Sequence, residues 1–352
     1  MEKKNICVVF GGISSEHEVS KMSAKTVLLN IDYEKYNVYP VFITKSGKWK
    51  FFEGSAEDAM CSDPEKFAPL EAFISPDRED KALVKFLPGG GYEKIHIDAA
   101  FPMLHGKYGE DGTIQGLFAL AGIPCAGSGV VGSSVCMDKC MAKMLFEKAG
   151  INQAKWAEFK LGDKIDTKLV EKSLGYPVFV KPSAAGSSVG ITKAKNEEEL
   201  LKAIELAFKH DYKVLIEEFI EAREIEISLM GNLSPVCSDY AGEILPAEAF
   251  YTYEAKYEDE NSKVLFPAPI DEETLKKIKD IAVRAYRICE CRGYARVDFF
   301  VERNTNKIYL NEINTIPGFT GISMYPKLWT LSGISIKELI TKLIELAEQR
   351  ED

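Results

Sequence analysis

The sequence predicts an α/β protein, α+β overall, whose first domain carries an open parallel sheet and whose two or three domains share a cleft. Three observations point there. At 352 residues the chain exceeds what one hydrophobic core usually covers. Its first third alternates short apolar runs with helical patterns, as in a sheet flanked by helices. Its last third instead sets two strand patterns back to back across a turn-rich link. The domain boundaries read as 1–127, 128–216 and 217–352.

Residues 5–10, N-I-C-V-V-F, read as a buried parallel strand that runs through Gly11-Gly12 into a helix opened by Ser15, with Glu18 three residues on as a capping box. Apolar runs at 37–43 and 98–104 continue the sheet, and Pro88 to Gly91 is a surface turn. A helix from Asp138 to Ala149 ends on Gly150, a glycine cap. Then come a strand at 177–181, a glycine-rich turn, a helix around 197–210 and a strand at 213–220. Further strands are expected at 224–230, 296–302 and 308–314, and an amphipathic helix at 336–348.

The formal net charge is −10, with 46% hydrophobic and 28% charged residues. No Lys/Arg run forms a polybasic patch, which speaks against nucleic acid and anionic membrane as partners. The apolar run at 6–10 is too short for a signal segment and no stretch reaches the length of a membrane span, so a cytoplasmic protein is expected. Eight scattered cysteines, none in a C-x-x-C pair, suggest neither a zinc site nor a disulfide framework, only buried thiols.

Gly127-Ser-Gly129-Val-Val-Gly132 matches the dinucleotide fingerprint literally, but it follows no convincing strand and lacks a suitably placed acid, so it reads as a turn. The stretch from Val180 to Gly190, V-K-P-S-A-A-G-S-S-V-G, ends a strand on Lys181 and continues in small residues. It reads either as a loop whose N–H groups and serines close over phosphates or as an ordinary turn. Lys139 stands in the first turn of its helix, where the dipole disfavours a cation unless an anion or solvent relieves it. His105 to Gly112 is a glycine-rich loop of the kind that lines a crevice at a strand's end.

The strongest signal is the pair R-V-D at 296–298 and N-E-x-N at 311–314. Folded symmetrically about Thr305, the two strands set Asp298 opposite Glu312 and Arg296 opposite Asn314, all four on one face. Opposed carboxylates repel. They call for a bridging hard cation, with Asn314 as a third oxygen donor, or else the face is solvated.

Taken together, these segments closely resemble the D-alanine–D-alanine ligase family of the ATP-grasp superfamily over essentially the whole chain. The carriers are G-G-x-S-x-E-x-E-V-S at 11–20, H-G-x-x-G-E-D-G at 105–112, M-D-K at 137–139, V-K-P-x-x-x-G-S-S-V-G at 180–190, E-A-K-Y at 254–257, R-V-D at 296–298 and N-E-x-N-T-x-P-G-F-T at 311–320. The resemblance implies the ATP-grasp fold, three domains around a central cleft, ATP as substrate, two Mg²⁺ or Mn²⁺ ions and a homodimer. It also implies the synthesis of D-alanyl-D-alanine from two D-alanines for peptidoglycan.

By that likeness Lys139, Lys181, Ser188 and Lys256 hold the nucleotide phosphates, Glu217 and Glu224 bind adenine and ribose, and Asp298, Glu312 and Asn314 ligate the metal. Glu16 pairs with the first substrate's ammonium and is linked through Ser187 to Tyr257 of a lid, while His105 lines the same subsite. Arg296 and the Gly318 N–H stabilise the oxyanion, and Ser323 and Met324 meet the second carboxylate. Ala185 and Gly321-Ile322 depart from some members. A D-alanine–D-serine or D-lactate ligase and a silent nucleotide-binding regulator are the rival readings.

Overall fold

The computed structural model describes residues 2–186, 189–245 and 263–350. Strand β1 (Lys4–Gly11) leads through helix α1 (His17–Asn30) to β2 (Tyr36–Ile43). Four strands follow, β3 (Trp49–Phe51), β4 (Leu70–Ile74), β5 (Ala82–Phe86) and β6 (Tyr92–His96), before β7 (Ala99–Met103). The seven form one sheet in the order β6-β5-β4-β3-β2-β1-β7.

Only part of that sheet is parallel. β1 runs parallel to β2 and β7, but every pairing from β2 to β6 is antiparallel. Links such as Leu87–Gly91 between β5 and β6 are too short for the crossover a parallel pair needs. The expected open parallel sheet is therefore a three-stranded parallel core with an antiparallel extension.

The start of α1 also departs from expectation. The helix begins at His17 with Glu16 at its N-cap position and no side-chain cap, so the box of Ser15 and Glu18 does not form. Glu18 instead pairs with Lys21 and Lys45, and the neighbouring Ser14 hydroxyl donates to the His105 carbonyl at 2.7 Å. Those contacts draw the chain toward the loop after β7.

Next come α2 (Thr113–Ala121), α3 (Val130–Met137) and α4 (Lys139–Lys148), followed by β8 (Trp156–Lys160), α5 (Thr167–Leu174), β9 (Val178–Pro182), β10 (Thr192–Ala194), α6 (Glu197–Ala207) and β11 (Lys213–Glu218). The second sheet has the order β10-β9-β11-β8, and α6 buries Leu200, Ala203, Ile204 and Ala207 against it. Gly129 precedes α3, and Gly132 lies where a Cβ would come within 2.6 Å of the Glu290 carbonyl oxygen. Close helix packing accounts for that glycine without any dinucleotide.

The third sheet comprises β12 (Ala222–Met230), β13 (Val236–Cys237), β14 (Gly242–Leu245), β15 (Lys263–Leu265) and, after α7 (Glu272–Ile288), β16 (Tyr294–Glu302) and β17 (Ile308–Asn314). Its order is β15-β14-β12-β16-β17, with β13 beside β12. Helix α7 buries one face on it, together with Cys136, Ala142 and Phe146 of α3 and α4. The chain ends in α8 (Met324–Leu331) and α9 (Ile336–Glu348), the latter closed by a Ser335–Glu338 capping box. Leu339, Ile340, Leu343 and Ile344 of α9 pack on Ile6, Val8 and Phe10, so the end of the chain returns to the first sheet.

Candidate active site

A cleft of about 1010 Å³ is lined by residues of the second and third sheets, by the loops that follow them, and by Glu16, His105 and Glu110 from loops of the first sheet. On the second sheet, β9 and β11 are antiparallel neighbours, so alternation places Lys181 and Glu217 on one face. Lys181 Nζ lies 2.5 Å from Glu217 Oε2, and Lys143 Nζ of α4 lies 2.6 Å from Oε1. Burial opposes ionisation of Glu217, yet the two ammoniums together bring it down to about 2. Lys139, one helical turn before Lys143, donates to the Ala185 carbonyl at 2.8 Å and stands 3.5 Å from Glu312. It thereby links the second sheet's loop to the third sheet.

The hairpin of the third sheet has the predicted pairs at its functional end, Asp298 opposite Glu312 and Arg296 opposite Asn314. Beyond them a bulge at Asn311 shifts the register, so that Phe299 faces Leu310. β12 extends the rows: Glu226 is opposite Asp298, and Ser228 is opposite Arg296. Three carboxylates therefore stand side by side across three strands.

Arg296 relieves them. Its Nε and an Nη donate to both oxygens of Asp298 at 2.8 and 2.7 Å, and Nε is 3.0 Å from Glu226. Asn314 Nδ2 donates to Asp298 at 2.9 Å, which leaves its carbonyl oxygen as an acceptor. The opposed carboxylates, which from sequence call for a bridging cation or a solvated face, thus receive positive charge from the Arg296 guanidinium within the protein. Among the described residues no three His, Cys, Asp or Glu side chains form a metal cage. Two carboxylates and one amide oxygen fit instead a hard cation that shares its shell with phosphate oxygens.

Glu16 is buried where its carboxylate meets two glycines. A Cβ on Gly106 or Gly186 would stand 2.5 or 2.6 Å from Glu16 Oε2. Glu110 accepts the Gly106 N–H at 2.7 Å and the Ile316 N–H at 3.1 Å. Burial, aided by the charge of Glu16, pushes its carboxyl up to about 8. His105 lines the cleft but spends both ring nitrogens on protein: Nδ1 bonds the Ile316 carbonyl at 2.9 Å and Nε2 the Ser23 hydroxyl at 2.8 Å. Because a carbonyl only accepts, Nδ1 carries the proton, and burial lowers the pKa of the ring.

Gly318, Ser323 and Met324 complete this end of the cleft. Ser323 precedes α8, and its hydroxyl bonds Thr320 through the N–H at 3.0 Å and the Oγ1 at 2.7 Å. Met324 is the first helical residue, its sulfur against Gly242, where a Cβ would come within 2.0 Å. A helix start is a site suited to a carboxylate.

A glycine-rich phosphate-type loop, a cationic wall and an acidic strand row in one cleft match the expected family, and comparison with known proteins decides the matter. The model of the D-ala D-ala ligase N-terminus matches residues 5–128, and that of the D-ala D-ala ligase C-terminus matches residues 145–345. The chain belongs to the D-alanine–D-alanine ligase family. A D-alanine–D-alanine ligase of Caldicellulosiruptor bescii is 50% identical over 355 residues, covering 99% of this chain and 96% of that protein. One from Clostridium acetobutylicum is 48% identical, with 99% of each covered. Among solved structures, the VanG D-Ala:D-Ser ligase from Enterococcus faecalis superposes with a TM-score of 0.90 at 40% identity, covering 98% of this chain and all of that one. The D-alanine-D-alanine ligase from Coxiella burnetii does so at 0.85 and 35%, covering 99% and 95%. The protein is thus a ligase with the ATP-grasp fold, and its family uses ATP.

Of the ligase-type residues expected from sequence, the cleft brings together Glu16, His105, Lys139, Lys181, Glu217, Glu224, Arg296, Asp298, Glu312, Asn314, Gly318, Ser323 and Met324. Ser187, Ser188, Lys256 and Tyr257 lie outside the described residues. Sequence reasoning passed over Lys143, Glu226, Glu110 and Ser23. Lys143 is four residues after Lys139 on one helix face, and Glu226 two after Glu224 on one strand face, so periodicity could have found both. Glu110 lay inside a quoted motif without a role. Ser23 carries no local signal.

Proposed function

We propose that this cleft joins two D-alanines into D-alanyl-D-alanine as ATP becomes ADP and phosphate, supplying a peptidoglycan precursor. What carries the reading is the facing of the Lys143–Glu217–Lys181 wall and the Glu226–Asp298–Glu312 row across one cleft of this family. The γ-phosphoryl group passes from ATP to a carboxylate oxygen of the first D-alanine, giving an acyl phosphate. Lys139 and Lys181, with Ser188 and Lys256, hold the phosphates, and Glu217 and Glu224 the nucleoside, Glu217 also keeping Lys181 in place. Glu16, with Ser187 and Tyr257, orients the first substrate's ammonium beside His105.

Asp298, Glu312 and Asn314 would hold Mg²⁺ or Mn²⁺, two ions in all, which would supply charge neutralisation at the transferring phosphoryl group. The neutral amine of the second D-alanine, its carboxylate held by Ser323 and the Met324 N–H, attacks the acyl carbon. A C–N bond forms, the C–O bond to phosphate breaks, and the amine loses one proton. Arg296 and the Gly318 N–H stabilise the intervening oxyanion.

The three sheets support domains near 1–127, 128–216 and 217–352, with the second boundary moved into 219–221 because β11 runs to Glu218. Among the described residues no helix is long and apolar enough to cross a membrane. A cytoplasmic homodimer is the working form that the family likeness suggests. The test mixes purified protein with ATP, Mg²⁺ and D-alanine, D-serine and D-lactate in competition, and follows phosphate and products by mass spectrometry. D-alanyl-D-alanine as the main product is expected. A mixed D-serine or D-lactate product would move the second substrate, and no amino-acid-dependent phosphate release would overturn the ligase reading.

A further inference from the structure

The segment from Ile316 to Thr320 crosses the floor of the cleft with its amides almost all engaged. The Ile316 N–H goes to Glu110 at 3.1 Å, the Phe319 N–H to the Ser23 hydroxyl at 3.1 Å and the Thr320 N–H to the Ser323 hydroxyl at 3.0 Å. Pro317 has no N–H to give. Gly318 is thus left as the one amide of the segment with no acceptor among the described residues, and it lines the cleft.

The anchors on either side of Gly318 come from the first sheet's half of the molecule. His105 fastens the Ile316 carbonyl, and the same ring holds the Ser23 hydroxyl that receives Phe319. Ser23 and His105 are buried, and the Phe319 ring packs edge-on against Phe101 with centroids 6.4 Å apart. The bond to the Ile316 carbonyl, two residues before Gly318, and that from the Phe319 N–H, one residue after, restrict the peptide planes on either side of the one that carries its N–H.

We infer that Ser23, with His105 and Glu110, is a positioning residue that presets the Gly318 N–H for the amide-forming step. Ser23 acts through Phe319 and touches neither substrate nor phosphate. The inference rests on the acyl-phosphate reading above, in which the tetrahedral oxyanion arises only when the second amine attacks. Misplacing the donor therefore slows ligation and spares phosphorylation of the first carboxylate. An error of about 1 Å in such a group costs up to about 100-fold.

Ser23→Ala separates the two steps when acyl phosphate is trapped by hydroxylamine as the hydroxamate and dipeptide is measured in parallel. Expected is a fall in dipeptide kcat of about 10- to 100-fold, with hydroxamate formation and the KM for ATP near wild type. Ser23→Thr, which keeps the hydroxyl, is expected to restore the ratio. Should Ser23→Ala be too unstable to purify, Ser23→Cys asks the same question, since its thiol keeps the side-chain volume but is a weaker acceptor for the Phe319 N–H. Equal loss of hydroxamate and dipeptide in these variants, or unchanged dipeptide formation, overturns the inference and leaves the ligase reading intact. A wild-type enzyme that forms no hydroxamate overturns the acyl-phosphate reading and this inference with it.

Discussion

The two walls of the cleft differ in the sign of the charge they carry in surplus. On the second sheet one carboxylate, Glu217, is shared by two ammoniums, Lys143 and Lys181. On the third, the carboxylates of Glu226, Asp298 and Glu312 form one cross-strand row with a single guanidinium, that of Arg296. Burying charge is expensive, so a group of opposite sign beside either wall is favoured. Under the proposed function the first surplus would meet phosphate anions and the second a divalent cation, with Lys139 reaching between the two walls.

The acidic wall gives the largest expected effect. Asp298→Asn or Glu312→Gln is expected to lower ligation by about 100-fold or more, since a metal ion contributes several kcal/mol to phosphoryl transfer. Turnover at saturating Mg²⁺ measures it, and wild-type rates in either variant would remove the metal assignment. On the cationic wall, Lys181→Met should raise the KM for ATP about 10- to 100-fold, the value of a charge-assisted hydrogen bond. An unchanged KM would mean that the phosphates bind elsewhere.

Lys143 sharpens the contrast, because it is buried behind Lys181. Lys143→Met is expected to cost about 2 kcal/mol of stability, less than breaking a lone buried pair because Glu217 keeps Lys181. Its KM for ATP should rise less than that of Lys181→Met. Chemical denaturation and ATP kinetics on the same preparation check both. If the ATP effect exceeded that of Lys181→Met, the assignment of front and back cations would be reversed.

The smallest effect is a pH slope. Glu217 is held at about 2, below the ordinary 4.5, so its stabilisation is complete above about pH 4.5 and is lost as pH falls toward 2. Glu110 has the opposite sign: raised to about 8, it favours the folded state fully below about pH 4.5, and that contribution disappears as pH rises through 8. Glu217→Gln should flatten the acid limb of the stability profile and Glu110→Gln the alkaline limb. Parallel profiles for wild type and both variants would contradict the two assignments.

Much of this was legible locally. Lys139 at a helix start, Lys181 at a strand end and the facing of Asp298 with Glu312 all follow from periods of 3.6 and 2 applied to adjacent residues. The capping box at Ser15 did not form because the helix starts at His17 and puts Glu16 at the N-cap position, while Ser14 bonds the His105 carbonyl 91 residues away. The parallel sheet was overextended because single strands do not state their direction. Cysteines that looked scattered proved close in space, with Cys136 and Cys291 sulfurs 3.5 Å apart.

By itself the sequence determined the elements, the motifs that carry the family likeness and the functional end of the hairpin register, since all are written in short-range spacing and turn chemistry. Only the tertiary structure decided that Arg296 neutralises Asp298, that the bulge falls at Asn311, that α9 closes the first sheet and that Ser23 reaches Phe319 across 296 residues. Such contacts depend on how buried faces stack. Stacking is selected by the sum of many apolar contacts across the whole core, which no local window of residues contains.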